Sequence, residues 1–422
     1  MKNVITSVKG TRDFYPQQMA LRNWLYQHMR QVSESFGYQE YEAPFLESID
    51  LYAAKSGDEL VKEQSFVFPD RGGNLIALRP ELTLSLARMV AQKQHALVFP
   101  LRWWSFGPFW RYERPQKGRT REFFQWNIDL IGINNPESDA ELVAICALFF
   151  QKLGLNPQQV RVLVNDRRLM EAELLRIGIN TEKKTQAFKL IDRSNKLNAG
   201  DWEAYGLEQG FSPQQLQGLI TILNSPDLFR QSPGLMRFFS TLEILGVKEY
   251  VAYDAHIVRG LDYYTGIVFE ACDATEAGRA ILGGGHYDNL VADVGGDPLP
   301  GVGFAMGDVV LQLVLQKYGK LPEFNQPPVQ ILVTVFNEDL FSQSLKLSQI
   351  LRQAGLQVMH YPEAGKLDKQ LKYADRLGIK FALILGPEEV EQDGVILKDL
   401  EQKEQRSLPL GELIAELKRV LV

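Results

Sequence analysis

The sequence predicts an α+β domain built on an antiparallel sheet, with a helical insertion, followed by a smaller C-terminal α/β domain. Three observations support this prediction. Two extended aromatic segments flank a long polar loop, a mostly helical pattern fills residues 165–250, and strand and helix patterns alternate near the C-terminus. A polar linker with prolines separates the two domains, which gives predicted ranges of 1–325 and 326–422.

Hydrophobic periodicity and proline positions predict the first elements. Apolar residues recur at helical spacing over 21–36, and Gly37 ends this predicted helix. An extended segment, 38–47, follows it. Residues 75–78 predict a strand, and Pro80 is typical of the first turn of the helix that comes next.

An antiparallel hairpin is the most informative element. Its predicted strands are 103–113 and 122–132, and the loop between them, 114–121, carries three arginines and one lysine. Side chains alternate between the two faces of a strand. One face of the second strand is therefore polar and the other is uniformly apolar, with Phe123, Gln125, Asn127 and Asp129 on the first and Phe124, Trp126, Ile128 and Leu130 on the second.

The remaining elements follow the helical insertion. A pair of strands is predicted at 257–264 and 267–271, before a glycine-dense region at 278–307. After the linker at 322–328, the pattern reads strand, helix, strand, helix, strand and terminal helix. This order predicts a small three-layer domain with a mixed or parallel sheet.

Composition narrows the class of protein. The 422 residues include 52 acidic and 46 basic residues, so any polyanionic partner must be held by a local patch. Cys146 and Cys272 stand far apart, which excludes a disulfide framework and favours two buried thiols in a reducing compartment. The N-terminus lacks a signal-peptide core, and the longest apolar run, 142–150, is too short for a bilayer. We therefore expect a cytoplasmic protein.

Familiar catalytic motifs are absent. The sequence contains no Walker phosphate loop, no dinucleotide glycine fingerprint after a strand, no metalloprotease histidine pair and no serine or cysteine nucleophile motif. No residue is predicted to ligate a metal. An enzyme of this composition would work by positioning and charge stabilisation.

Two arginines are candidates for such a role. Arg111 lies on the hairpin, and Arg259 opens a run that contains Tyr263 and Tyr264. A guanidinium can hold a phosphate or a carboxylate with two hydrogen bonds. Taken alone, each arginine is better explained as a salt-bridged strand residue, and each tyrosine as a core aromatic.

Taken in order, these segments resemble the class II aminoacyl-tRNA synthetases, and within them the histidyl-tRNA synthetase family. The resemblance covers nearly the whole chain. It rests on Lys9–Asp13 and Glu42–Pro44 as the first motif, Leu78–Thr83 as a substrate loop, Phe109–Gln125 as the second motif and Arg259–Tyr264 as a signature of the histidine enzymes. It implies ligase activity, a class II catalytic domain and a C-terminal anticodon-binding domain.

The resemblance also implies roles for individual residues. Arg111 and Arg259 would be catalytic and would flank the ATP α-phosphate and the histidine carboxylate. The histidine pocket would comprise Glu81, Leu82, Thr83, Gln125, Asp129, Tyr263 and Tyr264. ATP would be bound by Arg111, Glu113, Arg119, Phe123 and Arg259. The loop residues Arg114, Gln116 and Lys117 would contact tRNA. The implied partners are L-histidine, ATP with Mg²⁺, histidine tRNA and a second copy of the chain.

Two positions depart from the family pattern. The third motif of the family fits residues 301–307, but Val310 then stands where the family has an arginine that binds the γ-phosphate of ATP. His286 stands where an arginine is usual in the glycine-rich segment. An active enzyme would then neutralise the triphosphate with Mg²⁺ and with Arg111, Arg119 or Arg121, and we expect protonated His286 to help bind phosphate. The alternative is a catalytically silent relative that senses histidine or tRNA or regulates histidine biosynthesis.

Overall fold

The structure divides the chain into two compact units, Met1–Pro322 and Glu323–Val422. It is a computed structural model, and it describes residues 4–53, 64–259, 263–275, 280–324 and 327–421. No helix in these ranges is long and apolar enough to cross a membrane.

The first unit is built on one large sheet. Its strands are, in chain order, β1 (Gln39–Glu40), β2 (Leu46–Ser48), β3 (Phe66–Pro69), β4 (Leu75–Leu78), β5 (Leu101–Trp110), β6 (Glu122–Ile131), β7 (Val160–Asp166), β8 (Val251–Tyr253), β9 (Ile267–Asp273), β10 (Leu282–Tyr287) and β11 (Gly301–Gly307). Eight of them form a sheet in the order β1-β5-β6-β11-β10-β9-β7-β8, and β2-β4-β3 form a second sheet. The predicted antiparallel sheet is confirmed, with parallel pairs only at its two edges, β1–β5 and β7–β8.

Helices pack on both faces of this sheet and form the insertion. They are α1 (Pro16–Ser35), α2 (Ile49–Ala53), α3 (Thr83–Lys93), α4 (Pro136–Lys152), α5 (Arg167–Arg176), α6 (Lys184–Arg193), α7 (Ala199–Glu208), α8 (Pro213–Leu223), α9 (Pro233–Ile244), α10 (Leu290–Asp293) and α11 (Asp308–Lys317). Single 3-10 turns occupy Gln94–Ala96, Thr181–Lys183, Leu228–Gln231 and Lys248–Tyr250. Helices α5 to α9 lie between β7 and β8, where the sequence predicts the helical insertion.

The apolar face of the hairpin forms the core. Trp126, Ile128 and Leu130 of β6 are fully or almost fully buried and belong to one cluster with the apolar residues of α4. The ring of Trp126 lies 4.9 Å from that of Phe149. Burying one face of β6 in this way leaves Gln125 and Asp129 on the opposite face of the sheet, as the alternation predicts.

The helix predicted from Pro80 begins at Thr83 instead. The backbone O of Arg79 accepts a hydrogen bond from Trp110 N at 3.1 Å, and Pro80 O accepts one from Arg111 Nε at 2.9 Å. These bonds tie the segment to the hairpin, so its carbonyls are not available to a helix. The first helical hydrogen bond runs from Leu86 N to Leu82 O.

The strand predicted over 257–264 is also wrong for its described part. His256 N donates to Asp254 Oδ1 at 2.9 Å and Ile257 N to Asp254 O at 3.2 Å, which makes a turn. Residues 257–259 and 263–264 contain no strand, and 260–262 lie outside the described residues. The strand β9 pairs with β7 and β10 instead.

The second unit is a small α/β domain. Its elements are β12 (Ile331–Val333), α12 (Phe341–Gln353), β13 (Val358–His360), α13 (Leu367–Arg376), β14 (Phe381–Ile384), α14 (Pro387–Glu391), β15 (Gly394–Asp399), β16 (Glu404–Pro409) and α15 (Leu410–Val420). The sheet order is β13-β12-β14-β15-β16, parallel in the first three strands and antiparallel in the last two. The hairpin of β15 and β16 was not predicted, because β16 is exposed along almost its whole length and lacks an apolar alternation.

Candidate active site

A cleft of about 1050 Å³ opens on the large sheet, on the side of β6 that carries Gln125. Its wall combines residues of the hairpin with residues of the segment between β8 and β9. Six of the predicted site residues line it, namely Arg111, Glu113, Arg119, Phe123, Gln125 and Arg259. The fold therefore gathers both predicted catalytic arginines in one cleft.

Arg111 is held in place from two sides. Its Nε donates to Pro80 O at 2.9 Å, and its guanidinium lies over the ring of Phe123, 5.4 Å from the centroid. Burial lowers the pKa of Arg111, and the nearby carboxylates Glu113 and Glu81 oppose that effect. The guanidinium is thus fixed against the ring that the resemblance assigns to adenine.

The hairpin loop contains one ion pair that faces the cleft. Arg119 Nε lies 2.9 Å from Glu113 Oε2. Gln116 and Arg119 exchange backbone hydrogen bonds, which closes a tight turn at the tip of the loop. Arg121 lies over the ring of Tyr112 at 4.3 Å, and its backbone N donates to Gly10 O. The three predicted tRNA contacts, Arg114, Gln116 and Lys117, are exposed and do not line the cleft.

Arg259 has a left-handed backbone, with a φ of 55°. Its Nη1 lies 2.5 Å from Glu270 Oε2 on β9, and its Nε has no hydrogen-bond partner. Burial lowers the pKa of Arg259, but Glu270, Tyr264 and Tyr263 together outweigh burial and raise it. A residue other than glycine with this φ is uncommon, and such conformations occur often at functional sites.

The glycines of β10 leave space for the side chains of Arg259 and Tyr264. A Cβ on Gly283 would lie 2.1 Å from a guanidinium nitrogen of Arg259. A Cβ on Gly285 would lie 2.8 Å from the ring of Tyr264. Alternation places both glycines on the same face of the strand. The glycine-dense sequence therefore lets the arginine and the tyrosine lie flat against the sheet.

The other predicted histidine-pocket residues form a buried group beside the cleft. Glu81, Leu82, Asp129, Tyr263 and Tyr264 are buried, and Thr83 is half-buried at the start of α3. The rings of Tyr263 and Tyr264 lie 4.8 Å apart. Burial raises the pKa of Tyr263, the charge of Glu81 adds to this effect and a hydrogen bond with Thr83 opposes it. Leu82 instead packs against Ala43 and Phe109 in a small apolar cluster.

Asp129 is a strongly perturbed carboxyl of this group. Its Oδ1 accepts a hydrogen bond from Tyr287 Oη at 2.9 Å. Burial raises the pKa of Asp129 to about 7, the charge of Glu81 adds to this effect, and the hydrogen bond from Tyr287 opposes it. A carboxyl that titrates near neutrality inside a cluster of polar groups is typical of a binding or catalytic site.

Sequence reasoning missed two residues of this region, Glu270 and Tyr287. Glu270 pairs with Arg259, and Tyr287 holds Asp129. A lone acid in the otherwise apolar strand from Ile267 to Ala271 was a signal for the first. Tyr287 could have been found from alternation, because it shares a face with Gly283 and Gly285.

The structure locates the two positions that depart from the family pattern. His286 does not face the cleft: it is 1% exposed and its ring nitrogens bond to Asp139 and Asp288, so its expected contact with phosphate is wrong. Val310 does line the cleft, in the first turn of α11. Cys146 is buried as expected, whereas Cys272 is only half-buried and also lines the cleft.

Comparison with known proteins agrees with these observations. The model of the family "Histidyl-tRNA synthetase" matches residues 10–308, and that of the "Anticodon binding domain" matches residues 330–420. The chain belongs to the histidyl-tRNA synthetase family. All the residues that carry the resemblance except Lys9 lie within the first match, including Arg111 and Arg259.

Individual relatives cover nearly the whole chain. It is 37% identical to the chloroplastic/mitochondrial histidine–tRNA ligase of Arabidopsis thaliana over 415 residues, which are 96% of this chain and 85% of the relative. It is 37% identical to the histidine–tRNA ligase of Thermoplasma volcanium over 430 residues, 98% of this chain and 99% of the relative. The histidyl-tRNA synthetase of Nostoc sp. PCC 7120 has a similar structure, with a TM-score of 0.78 and 27% identity, over 99% and 100% of the two chains.

Membership of the family makes the end of the third motif, where Asp308 precedes Val310, noteworthy. Asp308, the first residue of α11, is buried and accepts hydrogen bonds from Phe124 N and Arg12 Nη2, both at 2.9 Å. Arg12 belongs to the predicted first motif. Asp308 therefore fixes the start of this helix against the hairpin and the N-terminal segment, while Val310 faces the cleft.

Proposed function

We propose that this protein is a histidine–tRNA ligase. It activates L-histidine with ATP to histidyl-adenylate and then transfers histidine to the 3′ end of histidine tRNA. The observation that carries this proposal is that Arg111 and Arg259 line the same cleft. Beside it lies the buried group of Glu81, Asp129 and two tyrosines.

Adenylate formation brings two anions together. The carboxylate of histidine attacks the α-phosphate of ATP, and pyrophosphate leaves. The guanidinium groups of Arg111 and Arg259 would neutralise the charge that accumulates, which is where a fixed cation is most effective. Phe123 would stack on adenine, and Glu113 and Arg119 would complete the ATP site.

Histidine recognition would use the buried group. An imidazole N–H can donate to Asp129, and the ammonium group of the substrate can be held by Glu81, Thr83 and Gln125. Tyr263 and Tyr264 would close the pocket. Amino acids that leave these buried polar atoms unpaired would be rejected, because an unpaired buried polar group costs about 1–3 kcal/mol.

Mg²⁺ would enter the site as a complex with ATP. Among the described residues, no group of three or more His, Cys, Asp and Glu side chains is arranged to hold a metal ion. The cleft carboxylates Glu113, Glu270 and Asp273 are each paired with a basic side chain. Mg²⁺ would then neutralise the phosphate tail as part of the substrate and need no resident site among the described residues.

The assembly and compartment are also proposals. A homodimer is supported by the resemblance of the first motif and by exposed apolar side chains near it, including Val4, Ile5, Phe45 and Leu46. A cytoplasmic location agrees with the two free cysteines.

Pyrophosphate exchange tests the enzymatic proposal directly. Purified protein with ATP and Mg²⁺ should incorporate labelled pyrophosphate into ATP when histidine is added, and not when proline is added. This assay needs no tRNA, so it separates a ligase from a silent relative that only senses histidine or tRNA. A rate that does not depend on histidine at saturating ATP would exclude the ligase function.

The exposed loop should act in transfer and not in activation. We expect Arg114→Ala combined with Lys117→Ala to raise the KM for tRNA in aminoacylation several-fold, because cations that neutralise phosphates supply much of the affinity for nucleic acid. Pyrophosphate exchange should stay within twofold of the wild type. The matched control, Arg30→Ala with Lys93→Ala, removes the same charge elsewhere. Equal effects of the two double variants on tRNA would exclude a specific contact of the loop.

Val310 provides a test of how ATP is held. Val310→Arg restores the family residue in a half-buried position of the cleft wall. An active enzyme that already neutralises the triphosphate should change little or lose activity through crowding. Val309→Arg is the matched control, since it adds the same charge one residue earlier in the same wall. A gain of exchange from a zero baseline with Val310→Arg alone would identify the wild type as a silent relative.

A further inference from the structure

A buried polar cluster lies on the opposite side of β10 from the cleft. His286 Nδ1 lies 2.8 Å from Asp139 Oδ1 of α4, and His286 Nε2 lies 3.2 Å from Asp288 Oδ1. His286 and Asp139 are both buried. Ionised carboxylates only accept hydrogen bonds, so with both carboxyls ionised both ring nitrogens donate and His286 is an imidazolium.

The cluster is connected to the segment that carries the paired tyrosines. Arg168 Nη2 lies 3.0 Å from Asp288 Oδ2, and Arg168 Nε donates to Thr265 O at 3.1 Å. Thr265 N donates in turn to His286 O at 2.9 Å. Both backbone polar groups of Thr265, which follows Tyr264 directly, are therefore bonded to residues of the cluster.

The next residue is held just as closely. Gly266 O accepts a hydrogen bond from Arg167 N at 3.0 Å. A Cβ on Gly266 would lie 3.3 Å from the ring Cγ of His286, so the glycine backbone passes close to the imidazole and has no room for a side chain there. A change in the position of the His286 ring would therefore move the end of the tyrosine segment.

We propose that His286, together with Asp139, Asp288 and Arg168, holds Tyr263 and Tyr264 in the conformation that closes the histidine pocket. His286 is in this view a positioning residue for histidine, although it touches no substrate. The inference rests on the proposed function, because it assigns histidine to the pocket beside these tyrosines. It also explains why the chain can carry a histidine where the family has an arginine: a protonated imidazole supplies a cation between the two carboxylates.

The charge of His286 depends on its surroundings. Burial lowers the pKa of His286, but Asp139 and Asp288 outweigh burial and raise it above the ordinary value of 6.5, against the opposing charge of Arg168. Asp166 on β7 also acts on Asp139. The cluster therefore keeps its cation to a higher pH than an ordinary imidazole would, and loses it as the pH rises through the pKa of His286 in the folded protein.

Two variants test the proposal by calorimetric titration of histidine and of ATP between pH 6 and 8.5. His286→Asn should weaken histidine binding tenfold or more and leave ATP affinity within twofold. Asp139→Asn keeps the shape of the partner but removes its charge. It should shift the pH at which histidine binding weakens at least half a unit lower, and the same shift should appear in the ¹⁵N resonances of the His286 ring. His95→Asn, at an exposed histidine, is the control.

The outcomes separate this proposal from the proposed function. Equal weakening of histidine and ATP by His286→Asn, or an unchanged pH profile in Asp139→Asn, would overturn the positioning role. Neutral His286 at pH 7 in the ¹⁵N spectrum would overturn it as well. Absence of histidine-dependent exchange in the wild type would reject the ligase function, and the binding titrations would still decide the role of His286.

Discussion

Arg259→His should lower histidine-dependent pyrophosphate exchange more than a hundredfold, which corresponds to about 3 kcal/mol or more of lost transition-state stabilisation. The guanidinium reaches the cleft from a left-handed backbone position and is aligned by Glu270. Histidine is tolerated at such a φ better than most residues, so the fold should survive the change. The measurement is kcat/KM for ATP and for histidine in exchange, beside the melting temperature.

Loss of the ion pair with Glu270 is a second explanation for a fall in exchange activity. The experiment must distinguish it from a direct loss of catalysis. Removing Arg259 leaves Glu270 without its partner, so part of the effect could come from lost stability. Adding Glu270→Gln to Arg259→His should restore stability and not exchange. Arg237→His, which breaks the exposed pair with Glu137, is the matched control. If activity instead followed the folded fraction in all variants, Arg259 would be structural only.

The hairpin shows why much of the site could be predicted from the sequence. Period-two alternation assigns Trp126 and Ile128 to the core and Asp129 to the opposite face, and burial on one side of β6 follows this assignment. The loop 114–121 also lies where predicted, between β5 and β6. Local periodicity was sufficient because both strands and their connection are continuous in sequence.

Contacts between distant segments were not predictable in this way. Nothing near Pro80 indicates that Arg111 will bond to its carbonyl, although this bond and the one at Arg79 O delay the helix to Thr83. The pairing of Arg259 with Glu270 depends likewise on the turn at Asp254, which replaces the predicted strand. These features arise from tertiary hydrogen bonds and override local propensity.

The wrong expectation for His286 has a different origin. That expectation placed the side chain of His286 near phosphate because the family usually has an arginine at this position. It did not consider which face of the strand the side chain occupies. Gly283, Gly285 and Tyr287 face the arginine and the tyrosines, so alternation puts His286 on the other side. Sequence alone contained this information, whereas the partner Asp139 on α4 did not follow from it.

Asp129 combines a cost in stability with a role in recognition. Its pKa is about 7 in the folded protein against an ordinary 3.8, so the folded state binds this proton more tightly than the unfolded chain does. The ionised carboxylate therefore destabilises the fold. This penalty is absent below pH 3.8, grows as the pH rises and is complete above about pH 7. It reaches about 4 kcal/mol, since a tenfold change in proton affinity corresponds to about 1.4 kcal/mol.

Asp129→Asn should therefore stabilise the protein at pH 8 by up to about 4 kcal/mol while it weakens histidine binding about thirtyfold or more. The amide still accepts the hydrogen bond from Tyr287 but lacks the charge that an imidazole N–H would meet. The gain in melting temperature should shrink steadily as the pH is lowered from 8 to 5, because the wild-type carboxyl becomes protonated. Asp297→Asn, at an exposed site, should change neither quantity. A gain that is independent of pH, or histidine affinity equal to that of the wild type, would show that Asp129 is not the buried acceptor for the substrate.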